Sequence, residues 1–245
     1  MKKILFVALA IFVCLSVNPC FGQKKSNFLK VDYSEIEKYV IQNEDAFNTL
    51  MNRFISEDTT LTLNELKYVF YGVHYSSKYG YEDVSKETQA LIKEEKYEDA
   101  LEKCREELKN SPTSLDILFS AMRCAENLDE VETANGYQTR ILQILDLIFA
   151  TGDGKSAKTA LKVMEVSDEY FIIYAVLGAN VKGQALVGNC DVMTLYDDDP
   201  DQTMDVYFDI TLHMEMLNEL FGGTSKPHKS HKKSKKASAK IVFDE

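Results

Sequence analysis

The spacing of the apolar residues changes once along this chain, at TGDGKS (151–156). Upstream, apolar positions recur every three to four residues, as on one face of a helix. Downstream they alternate, as in a strand with one buried side. One kind of element cannot satisfy both periods. The change therefore predicts an α+β protein: a helical region over 23–150 and a small α+β module over 151–223. A lone hairpin is marginal in water, so the sheet must pack on the helices.

In 32–55, Ile36, Tyr39, Val40, Phe47, Leu50, Met51 and Phe54 mark one helix face, with Ser34 placed to cap it. Thr62 and Glu65 have the spacing of a capping box and predict a second helix ending near Gly72 to Tyr75. Residues 86–112 read as one helical segment, with Tyr97, Ala100, Leu101, Cys104 and Leu108 on a face and Pro112 as the stop. Thr113 and Asp116 are placed to cap a helix from Leu115 to Leu128, and another runs from about Val131 to Phe149. The segment from Tyr97 to Pro112 resembles the second helix of a tetratricopeptide repeat, where a bulky residue, a small Ala, an apolar residue and a final Pro recur. The Ala lets two helices approach, and the Pro ends the unit so the next can stack. The Trp, Leu-Gly and Tyr of a first repeat helix are missing before Tyr97, so the likeness covers about one and a half units.

In the module, 159–166 alternates like a strand. Ser167 is placed to cap a short helix closed by Gly178, and 183–196 reads as a strand interrupted near Gly188. Residues 204–211 alternate again, and 212–221 suggest a last helix. The expected sheet has three antiparallel strands with helices on one face.

Lys2 and Lys3, then an apolar run from Ile4 to Leu15, form a signal peptide over 1–22, with cleavage before Gln23. The run is too short for a membrane span of roughly 20 residues. The alternative is lipid attachment at Cys20, but Pro19 precedes it where a small residue is usual. The expected location is the periplasm or cell envelope, with the space outside the cell as the alternative, and with no membrane span in the mature chain. The whole chain carries −11. With two lysines in 1–22 and +5 on 224–245, residues 23–223 hold −18. So acidic a body is unsuited to nucleic acid. The tail over 224–245 is lysine-rich, low in complexity and expected to be disordered. Its lysines can touch anionic lipid, nucleic acid or the chain's own acidic body. Past the signal, Cys104, Cys124 and Cys190 remain, an odd number that allows one disulfide or three buried thiols. No Cys or His spacing suggests zinc.

Several stretches resemble one uncharacterised family. They are GDGKS with its following Thr-Ala, VSDEY (166–170), GQALVGNCDV (183–192) and VYFDI (206–210). Together they are similar to domain-of-unknown-function family 4919, of secreted Bacteroidota proteins. LKYVFYGVHY and the Tyr97 helix fit it too, and the likeness spans about 30–222. It implies no activity, cofactor or catalytic residue.

Candidate sites follow from residue type. GDGKS lacks the first Gly of a phosphate loop, because that position is Phe149. Asp197, Asp198, Asp199 and Asp201 could offer oxygens to calcium but lack the spacing of a calcium loop. Tyr71, Tyr75 and Tyr79 could form an aromatic platform for a sugar or peptide, and Tyr97 a peptide contact; core packing is the competing reading. Asp168, Glu169 and Asp191 could converge as a catalytic carboxylate set. The two acids at 168–169 also suit a helix start. His74 and His213 stand without a nucleophile motif. Three functions remain: a non-enzymatic binding or scaffold protein with an envelope protein or peptide as partner, a hydrolase-like enzyme, or a glycan-binding module. No cofactor or metal is expected.

Overall fold

The computed structural model describes residues 28–221; the expected export signal and lysine tail lie outside the described residues. Seven helices come first: α1 (Tyr33–Gln42), α2 (Glu44–Ile55), α3 (Leu63–Gly72), α4 (Lys86–Lys93), α5 (Tyr97–Asn110), α6 (Leu115–Asn127) and α7 (Val131–Thr151). The Thr62–Glu65 capping box starts α3 as expected. Ala100, Leu101, Cys104 and Leu108 form the buried face of α5. Consecutive helices pack on each other from α4 through α7.

Two long segments are each broken into two helices. The first breaks at Asn43, whose backbone leaves the helical region while its N–H bonds the Tyr39 carbonyl at 2.9 Å and its carbonyl accepts from Phe47. The apolar face continues across the break, which is why spacing alone hides it. Its cap is Asp32, not Ser34: the Asp32 carboxylate accepts from the Glu35 N–H at 3.2 Å. Likewise Ser114, not Thr113 or Asp116, caps α6; the Asp116 carboxylate instead accepts from the Val84 N–H.

The second break, at Glu94 to Lys96, belongs to a device used three times. Glu57, Glu95 and Asp129 sit at positive φ after α2, α4 and α6. In each, the next residue's N–H reaches back to a carbonyl of the preceding turn: Asp58 to Arg53, Lys96 to Leu91, Glu130 to Ala125. This is a Schellman closure, where glycine is usual. An acid there strains the backbone and puts negative charge at the negative end of the helix. Glu95 is exposed. Glu95→Gly should therefore gain about 1 kcal/mol, or roughly 2–4 °C in thermal unfolding. An unchanged or lower melting temperature would show that Glu95 makes a compensating contact.

The module holds β1 (Leu161–Lys162), α8 (Val166–Phe171), β2 (Asn180–Val187), β3 (Cys190–Tyr196), β4 (Thr203–Asp209) and α9 (Thr211–Phe221). The sheet order is β1-β4-β3-β2. The stretch expected as one strand over 183–196 is two, β2 and β3, which with β4 are antiparallel; the strand expected over 159–166 is β1, which runs parallel to β4 through Leu161 and Lys162 alone. The sheet is therefore mixed. The strand expected over 159–166 is cut short because β4 ends at Asp209 and offers nothing further to pair with. The interruption at Gly188 is a two-residue hairpin: Val187 faces Cys190, and Gly188 takes φ +65 at the first turn position. After α8, residues Ile172–Val176 form a π-helical turn closed by Gly178.

Helices and module share one apolar core. Phe119 of α6 meets Phe171 of α8 edge to face at 5.4 Å between ring centres. The Tyr71 hydroxyl donates to the β1 carbonyl of Lys162 at 2.9 Å. Among the described residues, no helix is long and apolar enough to cross a membrane.

Candidate functional site

The first turn of α8 carries two acids because an N-terminal turn favours them, and the fold then buries both completely. Asp168 is well satisfied. One carboxyl oxygen accepts from the N–H groups of Met164 and Glu165 at 3.0 and 3.1 Å, and the other accepts from the Tyr81 hydroxyl. Burial pushes Asp168 up to about 7, against the pull of those donors.

Glu169 has no such support. Among the described residues, neither carboxyl oxygen finds a hydrogen-bond partner. Burial, then the charges of Asp191 and Asp168, push it up to about 9. At neutral pH it holds its proton.

Asp191 comes from β3 on the core-facing side, with Met193 and Leu195. Gln184 of β2 donates to its carboxylate at 2.7 Å. From α9, the His213 Nδ1 lies 2.6 Å from a Glu165 carboxylate oxygen. That bond raises the histidine above its ordinary value against the opposing effect of burial. The fold thus gathers the three acids picked out by sequence and adds Tyr81, Glu165, Gln184 and His213. Period-two alternation could have put Asp191 on the inner face. Nothing local connects Tyr81 or His213 to α8.

A protonated carboxyl beside a second acid, with a histidine–glutamate pair nearby, has the parts for proton transfer. Glu169 is nevertheless sealed from solvent. The shallow recess lined by Ile41 to Ala46 shares no residue with the cluster.

The other candidates are placed as follows. Tyr71 and Tyr79 are buried in the core, where each meets another ring edge to face: Tyr33 at 5.8 Å and Phe47 at 6.2 Å. Tyr75 and Tyr97 are half-buried against the same core. Buried faces cannot stack on a sugar, so the aromatic platform loses its basis. In the acidic turn, Asp199 accepts from Asp201 and Gln202 and so shapes the turn itself. Among the described residues, no group of three or more His, Cys, Asp or Glu is arranged to hold a metal ion. The GDGKS loop closes on protein: a Cβ on Gly152 would lie 2.3 Å from the Thr159 carbonyl oxygen, and the Gly154 carbonyl accepts from the Tyr207 N–H. No phosphate cradle is left.

These features define an α+β protein in which a helical stack and a mixed sheet enclose a polar cluster. The chain belongs to the domain of unknown function family DUF4919, which matches residues 34–219. No curated protein and no solved structure matches it.

Proposed function

We propose that this chain is a non-enzymatic binding protein of the periplasm or outer envelope, holding an extended basic segment of a protein partner along the open edge of its sheet. The observation that carries this reading is β2. It is an edge strand, with Leu186 and Val187 exposed at 57% and 52%. Tyr174 and Leu177, just before β2, are exposed as well. A bulge between Val181 and Gly183, with Lys182 beside it, blunts the first half of the edge. The second half, Gln184 to Val187, is free to add a strand. The −18 on residues 23–223 favours a basic occupant. The helical stack supports a scaffold role: Glu95 and Asp129 lie 34 positions apart, the length of one tetratricopeptide unit. Export rests on the signal at 1–22.

The test compares the mature chain with a Leu186→Lys/Val187→Lys variant in pull-downs from envelope extracts. The parent should enrich a partner, amide exchange at 184–187 should slow in the complex, and the variant should lose both. Equal capture by the two proteins, or edge protection that arises only from dimers of this chain, would overturn the reading.

One observation favours a second reading, a hydrolase using carboxylates: Glu169 lies unpaired beside Asp191. It requires substrate to reach a sealed side chain. Hydrolysis that Glu169→Gln abolishes while leaving the fold intact would establish it; activity retained in that variant would remove it.

A further inference from the structure

We infer that the chain's own segment 236–243 lies along β2 and covers the open edge until a partner displaces it. The inference rests on the partner-binding reading of that edge, since it names what regulates the same site.

The edge has two halves of different chemistry. At its start, the turn after β3 folds against β2. The Asn180 side-chain amide donates to the Asp197 carbonyl at 3.2 Å, and the Lys182 ammonium donates to the Pro200 carbonyl at 2.6 Å. These bonds hold the exposed acids Asp197, Asp198, Asp199 and Asp201 beside the first half of the strand. At its end, Leu186 and Val187 are exposed and apolar. Along the chain direction the edge is acidic first and apolar second.

The sequence after α9 is basic first and apolar second. Seven lysines fall within 226–240, and Ile241, Val242 and Phe243 follow them. Laid parallel to β2, with Lys236 opposite Asn180 and Phe243 opposite Val187, the lysines meet the acids and the apolar runs meet each other. Ile, Val and Phe favour strands, and 228–243 contains no Pro or Gly to interrupt one. Charge alone holds the first half, because the bulge between Val181 and Gly183 spoils a ladder there. The added ladder is confined to Gln184–Val187, where alternation sets Val242 beside Leu186 on the face that Asp191 shares.

The connection is long enough. The Ile210 N–H donates to the Asn189 carbonyl at 2.9 Å, so α9 starts at the tip of the β2–β3 hairpin. From there α9 runs roughly 16 Å to Phe221, and β2 runs roughly 23 Å back to Asn180. Laid end to end these legs come to about 40 Å, whereas residues 222–235 extend to about 46 Å. A tethered segment meets the edge at a local concentration on the order of millimolar, while a partner must arrive from solution. The tail thus excludes weak strands and other sheet edges, and yields to a segment that binds more tightly.

Amide exchange at 184–187 is compared in the mature chain and in Ile241→Ser/Val242→Ser/Phe243→Ser, whose changes lie beyond α9 and leave the core intact. Exchange should be about twofold or more slower in the parent, as for a tethered segment that covers the edge half of the time or longer. Dilution should not change it. Equal rates in the two proteins, or slowing that fades on dilution and so comes from a second copy, overturns the inference. Pull-downs from envelope extracts separate it from the reading beneath it. Equal exchange, with a partner captured by the parent and lost by Leu186→Lys/Val187→Lys, refutes the tail and leaves the binding edge standing. Slower exchange in the parent, with no partner captured by the parent or by the serine variant, refutes partner binding and leaves the tail on the edge.

Discussion

Asp168→Ala should unfold roughly 3–5 kcal/mol more easily than the parent, the range for a buried polar network that loses its common acceptor. Asp168 accepts from three donors: the Tyr81 hydroxyl and the N–H groups of Met164 and Glu165. Alanine leaves all three in an interior from which Asp168 itself is fully excluded from water. The damage spreads beyond α8, because Tyr81 belongs to the link between α3 and α4 and so ties the helical stack to the module. Tyr81→Phe removes one donor and should cost about 1 kcal/mol. It should also let Asp168 rise further, since that hydroxyl holds the acid down. Chemical denaturation at pH 6 checks both. An alanine variant within about 1 kcal/mol of the parent would mean that water replaces the lost acceptor.

Glu169→Gln should act in the opposite direction and depend on pH. In the folded chain Glu169 is raised to about 9, while in the unfolded chain it is ordinary, near 4.3. Below the lower value both states hold the proton and the residue contributes nothing to the pH dependence. As pH rises through the window, the unfolded chain releases its proton and the folded chain does not. Stability is therefore lost progressively and is lowest above the upper value. Glutamine has a similar shape and no proton to lose. At pH 8 the variant should be more stable by about 2–4 kcal/mol, taken below the full linkage value because an ionised carboxylate would draw in water. At pH 4 the two proteins should coincide. Asp168, raised to about 7, titrates in the same window, so a slope remains in the variant. Melting curves from pH 4 to 9 decide the matter. A gain that does not shrink toward pH 4 would show that packing, not charge, accounts for it.

What the sequence revealed follows the range of the forces involved. The capping box at Thr62, the buried face of α5 and the change of period near 151–156 are local, and the structure contains each of them. The breaks at Asn43 and at Glu94 to Lys96 were hidden because the apolar faces continue through them. No glycine marked the left-handed residues; acids occupy those sites instead. The parallel partner of β1 was invisible because alternation over 159–166 marks a strand but neither its direction nor its neighbour. The candidate site divided in the same way. Asp168, Glu169 and Asp191 were conspicuous as acids in apolar surroundings. Tyr81 and His213 joined them from distant segments, where only the tertiary fold could bring them.

The pairing of β1 with β4 governs the order in which this polypeptide can mature. Leu161 and Lys162 have their ladder partners at Phe208 and Asp209, and the polar cluster awaits His213. The oily side of the earlier coils that β1 and β4 cover therefore stays open until the segment from Thr203 to His213 has been made. Such late closure exposes sticky surface for longer, and a chain threaded outward from its amino end would emerge with a need for shelter from a chaperone.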